Sequence, residues 1–249
     1  MDEPLSVVIP VYHEGDNVLE VHRRFVADAG PFGEMIFVWD APDDPTIPFL
    51  DQLRAADPRV VSLHNTLGRG VLNALRAGIA AARGRAILVA MGDLSDDLSI
   101  VPQLMAQWRD GAMVGCPSRY MPGGRQEGAP WFKSRLSRLA GLSLYAIGAL
   151  PVRDPTNNFK LYDARFLKSV TIESGRGFEL ALELTVKAHE IGGKVVEVPT
   201  HWRERSQGQS RFKLIQWLPG YLKWYFRAVG NRLRLRPARR ASSSESAEE

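Results

Sequence analysis

The sequence predicts an α/β fold with a mostly parallel central sheet. Apolar runs of strand length alternate with segments of helical periodicity from residue 5 to about residue 120. Strands that are separated by helical crossovers pair in parallel and carry helices on both faces of the sheet. The chain has 249 residues, of which 45% are hydrophobic, so we expect one large domain with a substantial core.

The elements are expected in the following order. Apolar runs predict strands at residues 5–11, 35–39, 60–63, 86–91 and 112–116. Asp16 is expected to cap a first helix that reaches Val26, and helical spacing predicts further helices at residues 70–82 and 100–108. Beyond residue 120 we expect a glycine-marked loop at 123–128, helices at 131–150 and 179–191, a strand at 194–199 and an aromatic, basic segment at 212–234.

The cysteine content and the charge-free runs exclude two classes of protein. Cys116 is the only cysteine, which excludes a disulfide framework and fits a reducing compartment. The strand pattern begins at residue 5, so no signal peptide is expected. The charge-free run at residues 139–152 is shorter than the roughly 20 apolar residues that a spanning helix needs. We therefore expect a protein that does not cross a membrane by itself.

Residues 86–97 carry the most informative pattern in the chain. An apolar run leads directly into three carboxylates, Asp93, Asp96 and Asp97. A parallel strand ends at the carboxyl edge of its sheet, where open α/β folds bind their ligands. Carboxylates at that edge suit a hard divalent cation that holds a phosphorylated substrate. The alternative is that the three side chains only cap the following helix.

Other chemically useful side chains follow the neighbouring strands. Pro10, Tyr12 and Glu14 follow the first strand, Asp40 follows the second, and Arg119 lies just beyond the fifth. An aromatic wall and carboxylate acceptors suit a base and a ribose, whereas a diphosphate needs a metal and arginines. The alternative for Glu14 and Asp40 is an ordinary role in a turn or a helix cap.

Six blocks of the chain resemble a known family. Residues 5–14 resemble the opening of the family 2 glycosyltransferases, and more narrowly that of the dolichyl- or polyprenyl-phosphate sugar synthases. The later blocks that resemble this subgroup are residues 65–70, 77–84, 118–120, 150–160 and 205–212. The resemblance runs in order from about residue 5 to about residue 230.

The resemblance implies a glycosyltransferase A type fold that binds a nucleotide-sugar, with C-terminal amphipathic helices. It implies a nucleotide-binding set of Pro10, Tyr12, Glu14, Val38, Asp40, Met91, Gly92, Arg205 and Arg211. Asp93 and Ser95 take the positions of the ligands for Mg²⁺ or Mn²⁺, and Asp93 and Arg119 lie at the reaction centre. On the amphipathic helix, Arg135 and Ser137 are candidates for the phosphate of the acceptor. The alternative for that helix surface is an ordinary solvated face.

The acidic block departs from the family pattern. Family members have Asp-x-Asp where this chain has Met91, Gly92 and Asp93, and they have Gln where this chain has Ser95. Methionine offers nothing to Mg²⁺, and a hydroxyl is a weaker ligand than a carboxylate. Either metal affinity is low, or Asp96 and Asp97 contribute to the site.

These observations predict a function. We expect transfer of a sugar from a nucleoside-diphosphate sugar to a polyprenyl phosphate, by metal-assisted in-line displacement. The alternatives are a catalytically impaired member that binds a nucleotide-sugar or a partner, and a transferase for a soluble acceptor. Nucleic-acid binding is not expected, because the basic cluster is local and no nucleic-acid motif accompanies it. The five histidines show no metal-ligand spacing.

The C-terminal region predicts a peripheral membrane protein on the cytoplasmic face. We expect a catalytic domain at residues 1–212, a membrane-interface helix at 213–236 and a disordered tail at 237–249. The expected interface helix interleaves basic residues with Trp217, Tyr221, Trp224, Tyr225 and Phe226, and such a helix lies at the headgroup level. The alternative is that it packs on the body of the domain or on a second subunit.

Overall fold

The computed structural model describes residues 4–128, 131–175, 177–204 and 214–241, without the side chains of 131–133, 214–216 and 234–241. The strands in chain order are β1 (Leu5–Pro10), β2 (Glu34–Trp39), β3 (Val60–His64), β4 (Ala86–Val89), β5 (Val114–Ser118), β6 (Arg125–Glu127), β7 (Lys160–Asp163), β8 (Val195–Pro199) and β9 (His201–Arg203). Seven of them form one sheet in the order β3-β2-β1-β4-β7-β5-β8, and β6 pairs with β9.

Helices cover both faces of the large sheet. They are α1 (Asn17–Asp28), α2 (Ile47–Ala56), α3 (Val71–Ala81), α4 (Val101–Arg109), α5 (Trp131–Ala146), α6 (Ala164–Ser169), α7 (Leu180–Glu190) and α8 (Leu214–Ala241), with a 3-10 turn at Leu98–Ile100. Helices α1, α2 and α4 pack on one face, and α3, α7 and α8 pack on the other. The predicted α/β fold with a mostly parallel sheet is confirmed.

The strand directions determine which loops meet at one edge. Strand β1 pairs in parallel with β2 and β4, so all three end at the same edge. Strand β7 runs antiparallel between β4 and β5, with Lys160 opposite Val89. The loop that precedes β7 therefore reaches the edge at which the parallel strands end. This edge carries the site described below.

Several elements were not predicted from the sequence, namely α2, α6, β6, β7 and β9. Helix α2 lies in a proline-rich stretch that reads as a loop, yet Pro48 occupies its first turn, where proline is tolerated. The expected cap of α1 is wrong in detail. Asp16 occupies the N-cap position but makes no capping hydrogen bond through its side chain.

A buried aromatic side chain anchors helix α8 in the core of the domain. Trp224 is 0% exposed and belongs to the core beside α7. Three cations lie within about 5 Å of its ring, namely Lys187, Lys223 and Arg227, at 5.1, 4.9 and 5.0 Å. The expectation that Trp224 faces a membrane interface is therefore wrong, because the ring fills the interior beneath the helix.

The basic residues beside Trp224 are paired within the domain. Lys223 forms an ion pair with Glu173 at 3.0 Å, and Arg227 pairs with Glu190 at 2.7 Å. The opposite stripe of α8 remains exposed and carries Leu222, Phe226 and Leu233. No helix among the described residues is long and apolar enough to cross a bilayer.

Trp224→Ala should destabilise the domain strongly. Removal of a large buried ring costs about 3–5 kcal/mol, and Phe226→Ala, at a position 64% exposed, should cost about 0.5 kcal/mol or less. Urea unfolding followed by circular dichroism measures both variants. Equal, small losses in the two variants would show that α8 is not part of the core.

Candidate active site

A cavity of 2180 Å³ opens at the edge where the parallel strands end. Its lining includes most of the residues predicted from the strand ends, namely Pro10, Tyr12, Glu14, Asp40, Met91, Gly92, Asp93, Ser95 and Arg119. Val38 does not line it. The Val38 side chain is 0% exposed in the core, and its carbonyl accepts a hydrogen bond from the Val11 N–H at 2.8 Å. Val38 therefore helps to position the loop that follows β1, although it does not line the cavity.

Two aromatic rings stand at the end of β1. The rings of Tyr12 and His13 lie 4.4 Å apart with a tilt of 36°. The His13 N–H donates to Asp44 at 3.0 Å, and the Glu14 N–H donates to Thr46 Oγ1 at 3.0 Å. The segment before α2 thus holds the backbone of this loop, and Tyr12 lines the cavity.

Asp40 joins two loops at the end of β2. Its carboxylate accepts hydrogen bonds from Asn65 Nδ2 and from the Gly70 N–H, both at 2.7 Å. Because a carboxylate has about four acceptor positions, Asp40 retains capacity for a ligand. Besides the predicted contact with the nucleoside, Asp40 therefore holds the 65–70 loop in place.

The three carboxylates after β4 have different surroundings. Asp97 accepts hydrogen bonds from the N–H and the hydroxyl of Ser99, so the capping alternative is correct for this residue. Asp93 accepts one from the Ser95 N–H at 3.1 Å and faces the cavity. Asp96 is only 7% exposed, and its Oδ2 has no hydrogen-bond partner among the described residues.

Without a bound cation, the ionised form of Asp96 is strongly disfavoured. Burial and, after it, the negative charge of Asp93 raise the pKa of Asp96 to about 8. The Ser95 hydroxyl oxygen is also buried without a partner among the described residues. Two carboxylates and a hydroxyl, all lining one cavity, fit a hard divalent cation. The described residues contain no cluster of three or more His, Cys, Asp or Glu for a metal, so such a cation would also need phosphate or water oxygens.

Neighbouring elements clamp this acidic loop through its carbonyl oxygens. Asn17 Nδ2 donates to Gly92 O at 2.6 Å, and Arg24 Nη1 donates to Leu94 O at 2.9 Å. Leu94 adopts a left-handed backbone with φ of 59°. This conformation costs about 1–3 kcal/mol in a residue with a side chain. The loop is thus held in a strained shape at the cavity wall.

Arg119 is fixed by a buried ion pair with Asp154, which is 0% exposed. The Arg119 Nε and Nη2 donate to Asp154 at 2.6 and 2.9 Å, and its backbone N–H donates at 3.1 Å. Burial opposes the charge of Arg119, but Asp154 outweighs that effect and raises the pKa of Arg119 above its ordinary value. The guanidinium is therefore a permanent positive charge in the cavity wall.

Hydroxyl groups connect α5 to the loop that holds Asp154. Ser137 Oγ lies 2.7 Å from Thr156 Oγ1 and 3.1 Å from the Tyr120 hydroxyl. Ser137 and Thr156 line the cavity. Arg135 is exposed on α5 and does not line it, so the structure does not bring Arg135 and Ser137 together at one surface.

Some contributors were missed from the sequence, and two predicted residues lie outside the described ranges. Asp154, Thr156 and Tyr120 were not singled out, although the 118–120 and 150–160 blocks contain all three. Their contacts join positions up to 35 residues apart, which spacing alone does not reveal. The predicted phosphate contacts Arg205 and Arg211 lie outside the described residues.

Part of the lining of the same cavity is apolar. We call it the α5–α8 groove, and its lining residues are Leu136, Leu139, Ala140 and Leu144 of α5, with Leu218, Leu222, Tyr225 and Phe226 of α8. Leu139 and Phe226 are largely exposed. One cavity therefore combines a charged end with an apolar groove.

Comparisons with known proteins identify relatives over most of the chain. A family model described as Glycosyl transferase family 2 matches residues 6–171. Polyprenol monophosphomannose synthase of Mycolicibacterium smegmatis is 30% identical in an alignment of 230 residues that covers 85% of each chain. Undecaprenyl-phosphate mannosyltransferase of Micrococcus luteus is 29% identical over 82% of this chain and 85% of the relative. Dolichol-phosphate mannosyltransferase of Pyrococcus furiosus is 28% identical over 84% of this chain and 59% of the relative.

Solved structures agree on the fold. Glucosyl-3-phosphoglycerate synthase from Mycobacterium tuberculosis, in complex with Mn²⁺, uridine diphosphate and glucosyl-3-phosphoglycerate, superimposes with a TM-score of 0.63. It is 17% identical, and the match covers 92% of this chain and 80% of that chain. At this identity the likeness shows a shared glycosyltransferase A type fold.

Asp154→Asn should destabilise the domain, because it leaves the buried Arg119 without its counter-charge. Breaking one side of a buried ion pair costs about 3–5 kcal/mol. Asp110→Asn is the matched control, since the Asp110–Lys194 pair is exposed and should contribute little. Guanidinium unfolding measures both. A loss in Asp154→Asn no greater than in the control would contradict the assigned role of the pair.

Proposed function

Since the chain belongs to glycosyl transferase family 2, we propose that this glycosyltransferase moves a sugar from a nucleoside-diphosphate sugar to a polyprenyl phosphate. The observation that carries the proposal is the single cavity that joins carboxylates and Arg119 to the apolar α5–α8 groove. A small soluble acceptor would leave that groove without a role. The relatives described above, named for polyprenol, dolichol phosphate and undecaprenyl phosphate, support the same acceptor class.

The charged end of the cavity suits the donor. Tyr12 offers a stacking face, and Asp40 offers acceptor oxygens for the nucleoside. Asp93 and Ser95 would hold Mg²⁺ or Mn²⁺, which when bound supplies positive charge to the departing diphosphate. Arg119 adds a fixed positive charge beside it. We assign Arg205 and Arg211 to the same diphosphate on the strength of the family resemblance.

The acceptor needs positioning more than activation. A phosphate monoester is already anionic near neutral pH, so no strong general base is required. One of its oxygens would form the new bond to the anomeric carbon while the bond to the nucleoside diphosphate breaks. Ser137 and Thr156 present hydroxyls to the cavity, and Arg119 neutralises charge there. Arg135, on the same helix, remains our candidate for a phosphate approaching from outside. Positioning and charge neutralisation then account for the chemistry.

The exposed stripe of α8 suits the surface of a membrane. Leu222, Phe226 and Leu233 are spaced by four and seven residues, so they share one face of the helix. The helix continues into residues 234–240, which include four arginines. Each arginine near an anionic surface contributes about 1 kcal/mol. We propose that this stripe rests on the cytoplasmic face of the membrane and places the α5–α8 groove beside the lipid acceptor.

Turnover with a lipid acceptor tests the proposed reaction. Purified protein should transfer label from one of a panel of nucleoside-diphosphate sugars to undecaprenyl phosphate, which gives a product that organic solvent extracts. Asp93→Ala should lower the rate about 100-fold or more, because the diphosphate loses its charge stabilisation. Asp97→Asn, which alters only a turn cap, should turn over at the wild-type rate.

Two results would contradict this proposal. Transfer to 3-phosphoglyceric acid but not to undecaprenyl phosphate would assign a soluble acceptor. Wild-type turnover and metal dependence in Asp93→Ala would remove Asp93 from the reaction centre.

Liposome co-sedimentation tests the membrane surface. The double variant Phe226→Ser and Leu233→Ser should bind anionic liposomes about tenfold more weakly or worse, because it removes roughly 1.5 kcal/mol or more of apolar burial. Val26→Ser, which changes a residue on α1 that is 50% exposed, should bind like the wild type. Equal binding by all three proteins would exclude the α8 stripe as the contact surface.

A further inference from the structure

The acidic loop contains one carboxylate oxygen that no described residue satisfies. The Asp96 side chain lines the cavity and is only 7% exposed. Its Oδ2 has no hydrogen-bond partner among the described residues. Buried polar groups in folded proteins nearly always have a partner. A neutral carboxyl would need an acceptor for its proton, and an ionised one would need donors or a cation. The structure shows neither beside Oδ2.

The nearby arginines do not fill this gap. Arg119 donates to Asp154, as described above. Arg24 donates to the backbone oxygens of Leu94 and of Asp96 itself, and pairs with Asp28 at 3.9 Å. Both guanidinium groups lie near enough to influence the charge of Asp96, but neither donates to its side chain. Oδ2 is thus a buried atom without a donor, in a residue that lines the cavity.

We propose that Asp96 supplies the second carboxylate of a divalent-cation site with Asp93, in place of the carboxylate that Met91 lacks. This inference rests on the proposed function, because the cation would hold the diphosphate of the donor. A cation between the two carboxylates would supply a positive counter-charge to both. Mg²⁺ is commonly bound by one or two carboxylates together with phosphate oxygens, so two suffice.

A second buried oxygen points to the same place. The Ser95 hydroxyl is 4% exposed, lines the cavity and has no hydrogen-bond partner within the described part of the chain. Asp93, Ser95 and Asp96 all lie on one loop. Hydrogen bonds from Asn17 and Arg24 hold this loop, and Leu94 within it has a left-handed backbone. The ligand spacing becomes Asp-x-x-Asp, whereas family members use Asp-x-Asp. Met91 is thereby free to be apolar.

Mn²⁺ binding, followed by electron paramagnetic resonance in the presence of UDP and separately of GDP, tests the inference without turnover. Asp96→Asn should raise the Kd for Mn²⁺ about tenfold or more, and Asp97→Asn should leave it within twofold. The double variant Met91→Asp with Asp96→Asn should recover most of the affinity, because it restores a carboxylate at the family position. Thermal unfolding without metal should show that Asp96→Asn is folded, since an amide has nearly the same shape.

Other outcomes separate this inference from the proposed function. Wild-type Mn²⁺ affinity in Asp96→Asn, with affinity lost in Asp93→Asn, would overturn the role of Asp96 and leave the proposed reaction standing. Absence of Mn²⁺ binding to the wild type, or its persistence in Asp93→Asn, would overturn both metal assignments. Met91→Asp alone gives a check that needs no change at Asp96. If Mn²⁺ affinity rises little in this variant, the result supports a site that already has two carboxylates. A rise above tenfold contradicts such a site.

Discussion

The direction of β7 controls where the charged groups of the cavity lie. Because β7 runs antiparallel between β4 and β5, the loop before it reaches the edge at which the parallel strands end, and Asp154 meets Arg119 there. The buried Lys160 ammonium holds this loop by donating to the carbonyls of Pro155 and Asn157 at 2.7 and 2.9 Å. A parallel β7 would place Asp154 at the opposite edge and leave Arg119 unpaired.

Asp96 lines the cavity and Asp154 does not, and these two buried acids differ in how the cost of burying a charge is met. Burying a charge is costly unless it is paired. Asp154 is paired by three hydrogen bonds from Arg119, and together they form a rigid, buried ion pair. Asp96 has no such partner among the described residues, and burial raises its pKa to about 8. The first arrangement stabilises the fold, and the second suits a ligand that arrives from outside.

The sequence predicts the sheet and the strand-end residues well, because both follow from local pattern. Asp40 and Arg119 come directly after a strand, Asp93 comes four residues after the end of β4, and all three line the cavity. Strand β7 begins with Lys160 and ends with Asp163, so it gives no apolar run, and the partner of Arg119 could not be deduced. Trp224 shows a different limit. Aromatic and basic residues on one helix suit both a membrane interface and a core with flanking ion pairs, and only the contacts with α7 distinguish them.

The central claim is that one cavity serves both a nucleotide-sugar and a lipid phosphate. The most direct test is kcat/KM measured with isoprenoid phosphates of increasing length, at a fixed donor concentration and in one detergent. The account predicts that kcat/KM rises with each isoprene unit until the α5–α8 groove is filled and then levels off. It also predicts that Leu139→Ser, on the groove wall, flattens this rise. A kcat/KM that is independent of chain length, and equal for a water-soluble phosphate, would contradict the account.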